Sequence, residues 1–499
     1  MTLNTVWQQQ YNPMNNIWLS ALIAVIPIVI FLISLVFFKL KGYTAGALSI
    51  ISSAIISIFV YKMPVDKVAG AAEQGIVSGL WPVASIVLAA IFLYKLTVKI
   101  GCFDIMKESI ASISPDKRIQ VLLIGFSFNA FLEGAAGFGA PVAITAAILV
   151  GLGFNPISAA AICIVFMVDG LKGIKEVFPA ILVSGGSFAA TQFVLLEFIG
   201  PELVDIASSI VSLIALIIFL RFWSPKNILS AESKITDTKH DLSGKVVFKA
   251  WLPFILLTVF VTLLNTSFFK SLVQAANPQT GQKRGILNSL VFKIPYYIDS
   301  TVVKVSPIAE KPTPMKAVFS FEPFTSTTTA IVLAAILTIV IFKVKTRIVR
   351  IVLKETILEL WAPILTICSV LAFAYISTYS GMSSTLGLAL ANTGKIFPLV
   401  SPILGWIGVF LTGSVVNSGS LFAGLQHVTA TQIGVDPSLL VASNIIGGAI
   451  AKMISPQSIA VAAAAVGLVN KDSEIFSKTI KWSVIFLILA GILNFLFTM

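Results

Sequence analysis

The sequence predicts an all-α polytopic membrane protein of about 10–12 transmembrane segments. Two interrupted-helix or re-entrant regions are expected in it, arranged as an inverted repeat. Three observations carry this. Of 499 residues, 57% are hydrophobic and 11% charged, with a mean hydropathy of +0.97, whereas a soluble domain carries about 25% charge. Apolar runs long enough to cross a bilayer, about 17–25 residues, recur near 17–38, 43–61, 80–98, 176–198, 204–222, 247–265, 326–343, 360–379 and 480–498. Finally, each half carries a glycine-broken stretch of the same pattern inside apolar surroundings.

Taken in order, the elements follow from charge and punctuation. The first 16 residues contain no Lys or Arg. The apolar run after them is too long for a signal-peptide core, so it is read as a retained span. Lys39 and Lys41 follow that span, and Lys95, Lys99 and Lys107 follow the third. Arg221, Lys226, Lys234 and Lys239 come after 222, and Lys343, Lys345, Arg347 and Arg350 after 342. Residues 197–205, like 1–16, have no basic side chain. This positive-inside pattern places the N-terminus outside the cytoplasmic membrane. It also spreads the net charge of +12 over loops, which argues against a nucleic-acid partner and for membrane lipid.

The chain divides into an N-terminal transmembrane half (1–223), a polar cytoplasmic linker (224–246) and a span (247–265). An external loop (266–324) and a C-terminal transmembrane half (325–499) complete it. Within the loop, the Tyr/Ile/Val run of "KIPYYIDSTVVKVSP" reads as a short hairpin or extended segment. Cys102, Cys163 and Cys368 have neither pairing nor metal-ligand spacing. They read as small packing residues, and no metal or cofactor is expected.

The two halves share a signal. "FLEG" at 131–134 is followed by "GFNPISAA" at 153–160, and "FLTG" at 410–413 by "GVDPSLLVAS" at 434–443. Glycine to proline is 22 residues in one copy and 24 in the other. In each, a helix ends in glycine, small polar residues follow, and a second piece runs to a proline turn. Neither piece is expected to cross a core of about 30 Å comfortably. Backbone that leaves the helix in lipid is tolerated only where it is buried in protein or lines a cavity. Paired interrupted segments in two halves therefore point to a transporter's binding site.

The candidate site residues lie in and beside these breaks. Glu133 is the one carboxylate of "FNAFLEGAAGFGAP" (128–141), with Asn129, Gly137 and Gly139 around it. An acid at membrane depth costs roughly 2.5–3.5 kcal/mol, so Glu133 reads as a proton carrier or as a carboxylate that ties broken backbone. In "TGSVVNSGSLFAGLQH" (412–427), Ser414, Asn417 and Ser418 supply hydroxyl and amide groups suited to a small oxygen-rich ligand. In "SNIIGGAIAKMISPQS" (443–458), Ser455 and Gln457 bracket Pro456, and Lys452 is the only base between 438 and 470. Lys452 reads as the partner of a substrate carboxylate, as a side chain reaching an interface, or as the partner of an internal acid. His427 reads as a hydrogen-bonding or interface residue, and Asp169 and Lys172 as anchors. Neither "GxxxxGK[ST]" nor "HExxH" occurs, which disfavours ATP-driven transport and an embedded protease.

With "FLEGAAGFGAPVAITAAILVGLGFNPISAAAI" and "GGAIAKMISPQSIAVAAAAVGL" in hand, the chain resembles the bacterial L-lactate permeases. "TVWQQQYNP" and "DGLKGIKEVFPAILVSGGSFAATQF" resemble that family too. The resemblance implies proton-coupled uptake of L-lactate, with D-lactate and glycolate as related substrates, in a bacterial cytoplasmic membrane. Two departures stand out. Family members carry further membrane segments where "AICIV" here passes straight into "FMVDGLKGIKE". They also carry an acid where "GSVVNSGS" has Val415 and Val416. A carrier of another small organic anion and a transport-impaired paralogue are therefore the alternatives, and a membrane enzyme is disfavoured. One candidate cation favours a monocarboxylate over a dicarboxylate. Oligomeric state is left open.

Overall fold

The computed structural model describes residues 6–136, 145–146, 148–150, 152, 154, 165–198, 204–229, 243–266, 269, 271–272, 292–295, 298–309, 311–321, 326–468 and 471–499. Among them, nine helices are long and apolar enough to cross a membrane.

Strand β1 (Trp7–Gln8) precedes α1 (Ile17–Val36). The Asn16 side chain caps α1 by accepting from the Trp18 and Leu19 N–H groups at 3.0 and 3.2 Å. Helix α2 (Gly42–Phe59) follows. A 35-residue stretch, Val65–Lys99, then joins α3 (Val65–Ser78) to α4 (Ser85–Lys99) through a π-helical segment, Gly79–Ala84. Trp81 leaves the helix there, at φ −132 and ψ 124, because the Pro82 ring excludes helical backbone from the residue before it. The chain turns at Gly101 into α5 (Cys102–Ile113). Next, α6 (Lys117–Val121), a π-helical segment (Leu122–Phe128) and α7 (Asn129–Ala136) run on continuously. Helices α8 (Val165–Phe198), α9 (Val204–Leu220) and α10 (Gly244–Asn265) close the N-terminal part.

The loop that follows contributes β2 (Phe292–Pro295), β3 (Val302–Lys304), β4 (Thr313–Pro314) and β5 (Val318–Phe321). β2 pairs antiparallel with β5, while β3 pairs antiparallel with β4 and parallel with β1. The C-terminal part comprises α11 (Thr327–Ile341), a second 35-residue stretch α12 (Thr346–Ser380), and α13 (Met382–Ala391). Then come α14 (Phe397–Thr412), α15 (Val415–Ile433), α16 (Pro437–Ala451), α17 (Pro456–Ala465) and α18 (Asp472–Leu496).

Two spans are longer than their apolar runs. Asp66, Lys67 and Glu73 occupy the first half of one, and Arg347, Arg350, Lys354, Glu355 and Glu359 that of the other. These charges lie on helix and not on loop: Glu359 on α12 pairs with Lys95 on α4 at 2.6 Å. Helix α15 spans 19 residues, about 28 Å at 1.5 Å per residue, which is longer than the short piece its break suggests. Its expected counterpart at 153–160 lies outside the described residues, apart from Phe154.

The halves match in packing as well. Each 35-residue stretch ends at a left-handed glycine, Gly101 at φ +76 and Gly381 at φ +91, and a short helix follows. Helices α1 and α2 pack on α13 and α12, and α10 and α11 pack on α5 and α4. Thus α2 lies on the C-terminal long stretch α12 and α11 on α4 of the N-terminal one, while α1 and α10 lie on the short helices that follow each. One apolar core surrounds Phe103, Leu123 and Phe254, and a second surrounds Phe31, Phe373, Phe410 and Phe476. Helices α14 and α16 cross closely: a Cβ on Gly405 would stand 1.9 Å from the Asn444 oxygen, and one on Gly447 1.8 Å from the Pro402 oxygen. Small residues at such crossings let backbones approach where lipid gives no hydrophobic drive.

Candidate functional site

The second break grammar, "KMISPQS", folds into a tight corner. α16 ends, Lys452–Ile454 form one 3₁₀ turn, and Pro456 opens α17 at a position where its missing N–H costs nothing. The Ser455 hydroxyl caps α17 by accepting from the Ser458 N–H at 3.2 Å and bonds the Ser458 hydroxyl at 2.7 Å. The corner therefore satisfies its own backbone and leaves the Lys452 side chain to point away.

Lys452 meets Glu133. The ammonium donates to Glu133 Oε1 in a hydrogen-bonded ion pair between residues 319 apart in the chain. Both side chains are 35% exposed, so the pair stands at an opening and not in sealed core. At the start of α17, Gln457 Nε2 donates to the Leu411 carbonyl at 3.2 Å. The Gln457 side chain lies over Gly413, where a Cβ would meet it at 3.0 Å. Gly413 turns at φ +67. The Ser414 N–H donates to the Thr412 hydroxyl at 3.3 Å, and that hydroxyl reaches the Ser414 carbonyl at 3.1 Å. The described end of the first break and the turn of the second thus both meet the 452–457 corner.

Other candidates lie deeper or elsewhere. Ser418 is fully buried and its hydroxyl donates to the Gly405 carbonyl at 3.2 Å, so it serves the α14–α15 contact. The Asn129 amide oxygen accepts from the Thr145 hydroxyl at 3.1 Å, holding the chain beyond the break to α7. Gly137, Gly139 and the Asn417 side chain lie outside the described residues. His427 is exposed. No group of three or more His, Cys, Asp or Glu that could hold a metal occurs among the described residues.

The pair has one evident chemistry. Opposite charges partly withdrawn from water each favour a partner, and Glu133 and Lys452 supply one another.

Sequence reasoning missed a second ionic centre. Arg118 is 1% exposed. Its Nε and Nη2 donate to Asp116 Oδ1 and Oδ2 at 3.0 and 2.7 Å, and Nη1 donates to Glu176 Oε2 at 2.6 Å. Asp116 also accepts from the Leu229 N–H at 3.1 Å, and Arg118 reaches the Asn227 carbonyl. Burial pushes the Asp116 carboxyl up, but the Arg118 guanidinium and the N–H groups of Leu229 and Arg118 outweigh it and hold the group below the ordinary carboxylate range. The cluster ties α6, α8 and the start of the linker together. In sequence its members look like separate solvated charges at helix ends.

Comparison with known proteins bears on what this arrangement serves. The family described as L-lactate permease matches residues 20–167 and 163–499. The glycolate permease GlcA of Escherichia coli (strain K12) is 46% identical over 555 residues, covering 98% of both chains. The L-lactate permease of the same strain is 45% identical over 545 residues, and that of Bacillus subtilis (strain 168) 42% over 551, each covering 98% of both chains. All three alignments are longer than the 499 residues of this chain. Parts of the relatives therefore have no counterpart here, and the family match divides at 163–167.

Proposed function

The chain belongs to the L-lactate permease family, a family of transporters and not of enzymes, and from that premise we propose that it carries L-lactate into the cell in symport with protons. It is a multi-pass membrane protein. D-lactate and glycolate are its further substrates, the bacterial cytoplasmic membrane its location, and the N-terminus faces outward. The names of the relatives support the substrate class, and the distribution of Lys and Arg supports the orientation.

The Glu133–Lys452 pair is the observation that supports coupling. At rest the two charges neutralise each other. When Glu133 takes a proton it releases the ammonium, and the lactate carboxylate replaces it. The site then holds one proton and one lactate with no change of net charge, so binding of either favours binding of the other. Gln457, five residues beyond Lys452, and Ser414, next to the Gly413 turn that Gln457 covers, offer polar groups for the lactate hydroxyl. The Gln457 Oε1 is buried without a hydrogen-bond partner among the described residues, as a group awaiting a donor would be.

Labelled L-lactate uptake into proteoliposomes tests this. Accumulation against a concentration gradient is expected when the lumen is alkaline, and unlabelled glycolate is expected to compete. No gradient-driven accumulation, with the E. coli L-lactate permease active in parallel vesicles, overturns it. That outcome favours the second reading, a transport-impaired paralogue, which the division of the family match at 163–167 supports.

A further inference from the structure

The two long stretches end alike but are held differently. A helix end leaves its last carbonyls without intrahelical donors. At the end of α12, the Gln9 side-chain amide meets two of them, donating to the Thr378 and Tyr379 carbonyls, each at 2.8 Å. Gln9 Oε1 accepts from the Tyr11 hydroxyl at 3.0 Å, and that hydroxyl accepts from the Val305 N–H at 3.2 Å. Across the turn, the Thr385 hydroxyl reaches the Tyr11 carbonyl at 2.9 Å, and the Tyr61 hydroxyl bonds Thr385 at 3.0 Å. Gln9 is 3% and Tyr11 6% exposed. Backbone bonds from the Trp7 and Gln9 N–H groups to the Thr301 and Val303 carbonyls, at 2.8 and 3.0 Å, fix this segment to the loop. Gly381 is enclosed: a Cβ there would stand 2.9 Å from the Gln10 carbonyl oxygen.

The Gly101 turn is bonded to α4, and Lys99 before it pairs with Glu355 at 3.8 Å. Cys102 and Phe103 after it are buried in the first apolar core. Among the described residues, no capping side chain like Gln9 bonds the turn itself. Ile100 and Gly101 N–H groups bond the Leu96 and Val98 carbonyls, both at 3.1 Å. A Cβ on Gly101 would meet nothing within 4 Å among the described residues. Helices α5, α6 and α7, and so Glu133, follow directly from this turn. Lys452 lies in the C-terminal half, in a turn packed against α16, α17 and α18.

We propose that the Gly381 break is a fixed joint with Gln9 and Tyr11 as its positioning residues, and that the Gly101 break is the joint that bends as Glu133 leaves Lys452. The inference rests on the transport reading, but not on lactate being the substrate.

Hydrogen exchange on the whole protein in lipid nanodiscs tests the asymmetry without any substrate. Amides at 99–104 are expected to exchange at least tenfold faster than those at 379–385, and equal rates overturn the proposal. The transport arm places cysteines at Gln8 and Val303, which are direct β partners. Wild-type protein with its own three cysteines receives the same oxidation and reduction. Closing the disulfide is expected to leave uptake unchanged, whereas loss on oxidation that reduction restores shows that the clamp opens and sinks the fixed joint. Adding Gln9→Ala is expected to lower the maximal rate at constant KM, and closing the disulfide in that variant is expected to restore it. A folding defect would not be repaired after folding, so failure of rescue removes Gln9 from positioning. Absence of uptake by the wild-type protein itself counts against the transport reading, and the exchange arm still decides the asymmetry.

Discussion

Replacing the Glu133 carboxylate with an amide keeps shape and hydrogen-bonding capacity but removes the titrating proton. Glu133→Gln is expected to retain lactate counterflow and to lose accumulation driven by a pH gradient, both measured in the same vesicles. Retention of both removes Glu133 from coupling. Lys452→Ala is expected to raise the apparent KM for lactate at least tenfold with normal membrane abundance, since carboxylate recognition draws on a charge-assisted bond. An unchanged KM makes the lysine a tether. Both residues stand out in the sequence because each is the lone charge in an apolar stretch, but their pairing does not, since nothing local links positions 319 apart. Arg118 shows the opposite case. Arg118→Leu leaves Asp116 buried without its counter-charge and is expected to cost on the order of 3–5 kcal/mol, read as a lower melting temperature in detergent. Asp116 is held below its ordinary range, so its contribution is present above the unfolded value of about 3.9. It is lost as pH falls through the lower folded value. Wild-type stability at pH 5–8 should therefore be insensitive to this group, and the loss should appear only in strong acid.

Among the elements, the crossing of α14 and α16 makes the sharpest demand on sequence. Gly447→Ala sets a methyl 1.8 Å from the Pro402 oxygen, and backbone cannot swing aside as a side chain can. It is expected to lower the melting temperature by several degrees, while Gly424→Ala, with open space around it, gains helix propensity of up to about 1 kcal/mol. Equal behaviour of the two variants would show that the crossing is looser than described. Hydropathy made most spans legible, including α1, α2 and α10. It cut short α12 and the α3–α4 stretch, where charges such as Glu359 find a partner across the interface. Amphipathic or charged helix reads as loop when only apolar length is counted.

Across the whole molecule, orientation is the property that charge alone suggests. Trypsin added to intact cells is expected to cut at Lys283 or Arg284 in the loop and to spare Lys226 and Lys234 in the linker. Inverted vesicles should show the reverse, and cleavage on the wrong side would reverse the topology. The match of "FLEG" and "FLTG" suggests paired halves in the sequence. The packing of α2 on α12 and of α11 on α4 was not legible there, because which long stretch a helix covers depends on packing surfaces and leaves no periodic trace. The N-terminal strand was the least legible part. Trp7 and Gln8 are too short a run to signal a strand, and their partner is supplied by a loop beyond the fifth of the nine long spans.

That last pairing sets an order of assembly. Tyr11 and Val305 touch across 294 residues of chain, so the segment that carries Tyr11 leaves the ribosome long before its partner does. Spans from α1 to α10 must already be in the bilayer before β3 exists to receive β1. Until then the Thr378 and Tyr379 carbonyls have not been made, and the Gln9 amide has only water to bond. The clamp is thus a closing step of biogenesis, and a chain halted before residue 302 would carry α1 to α10 with nothing to fasten Trp7 and Gln9.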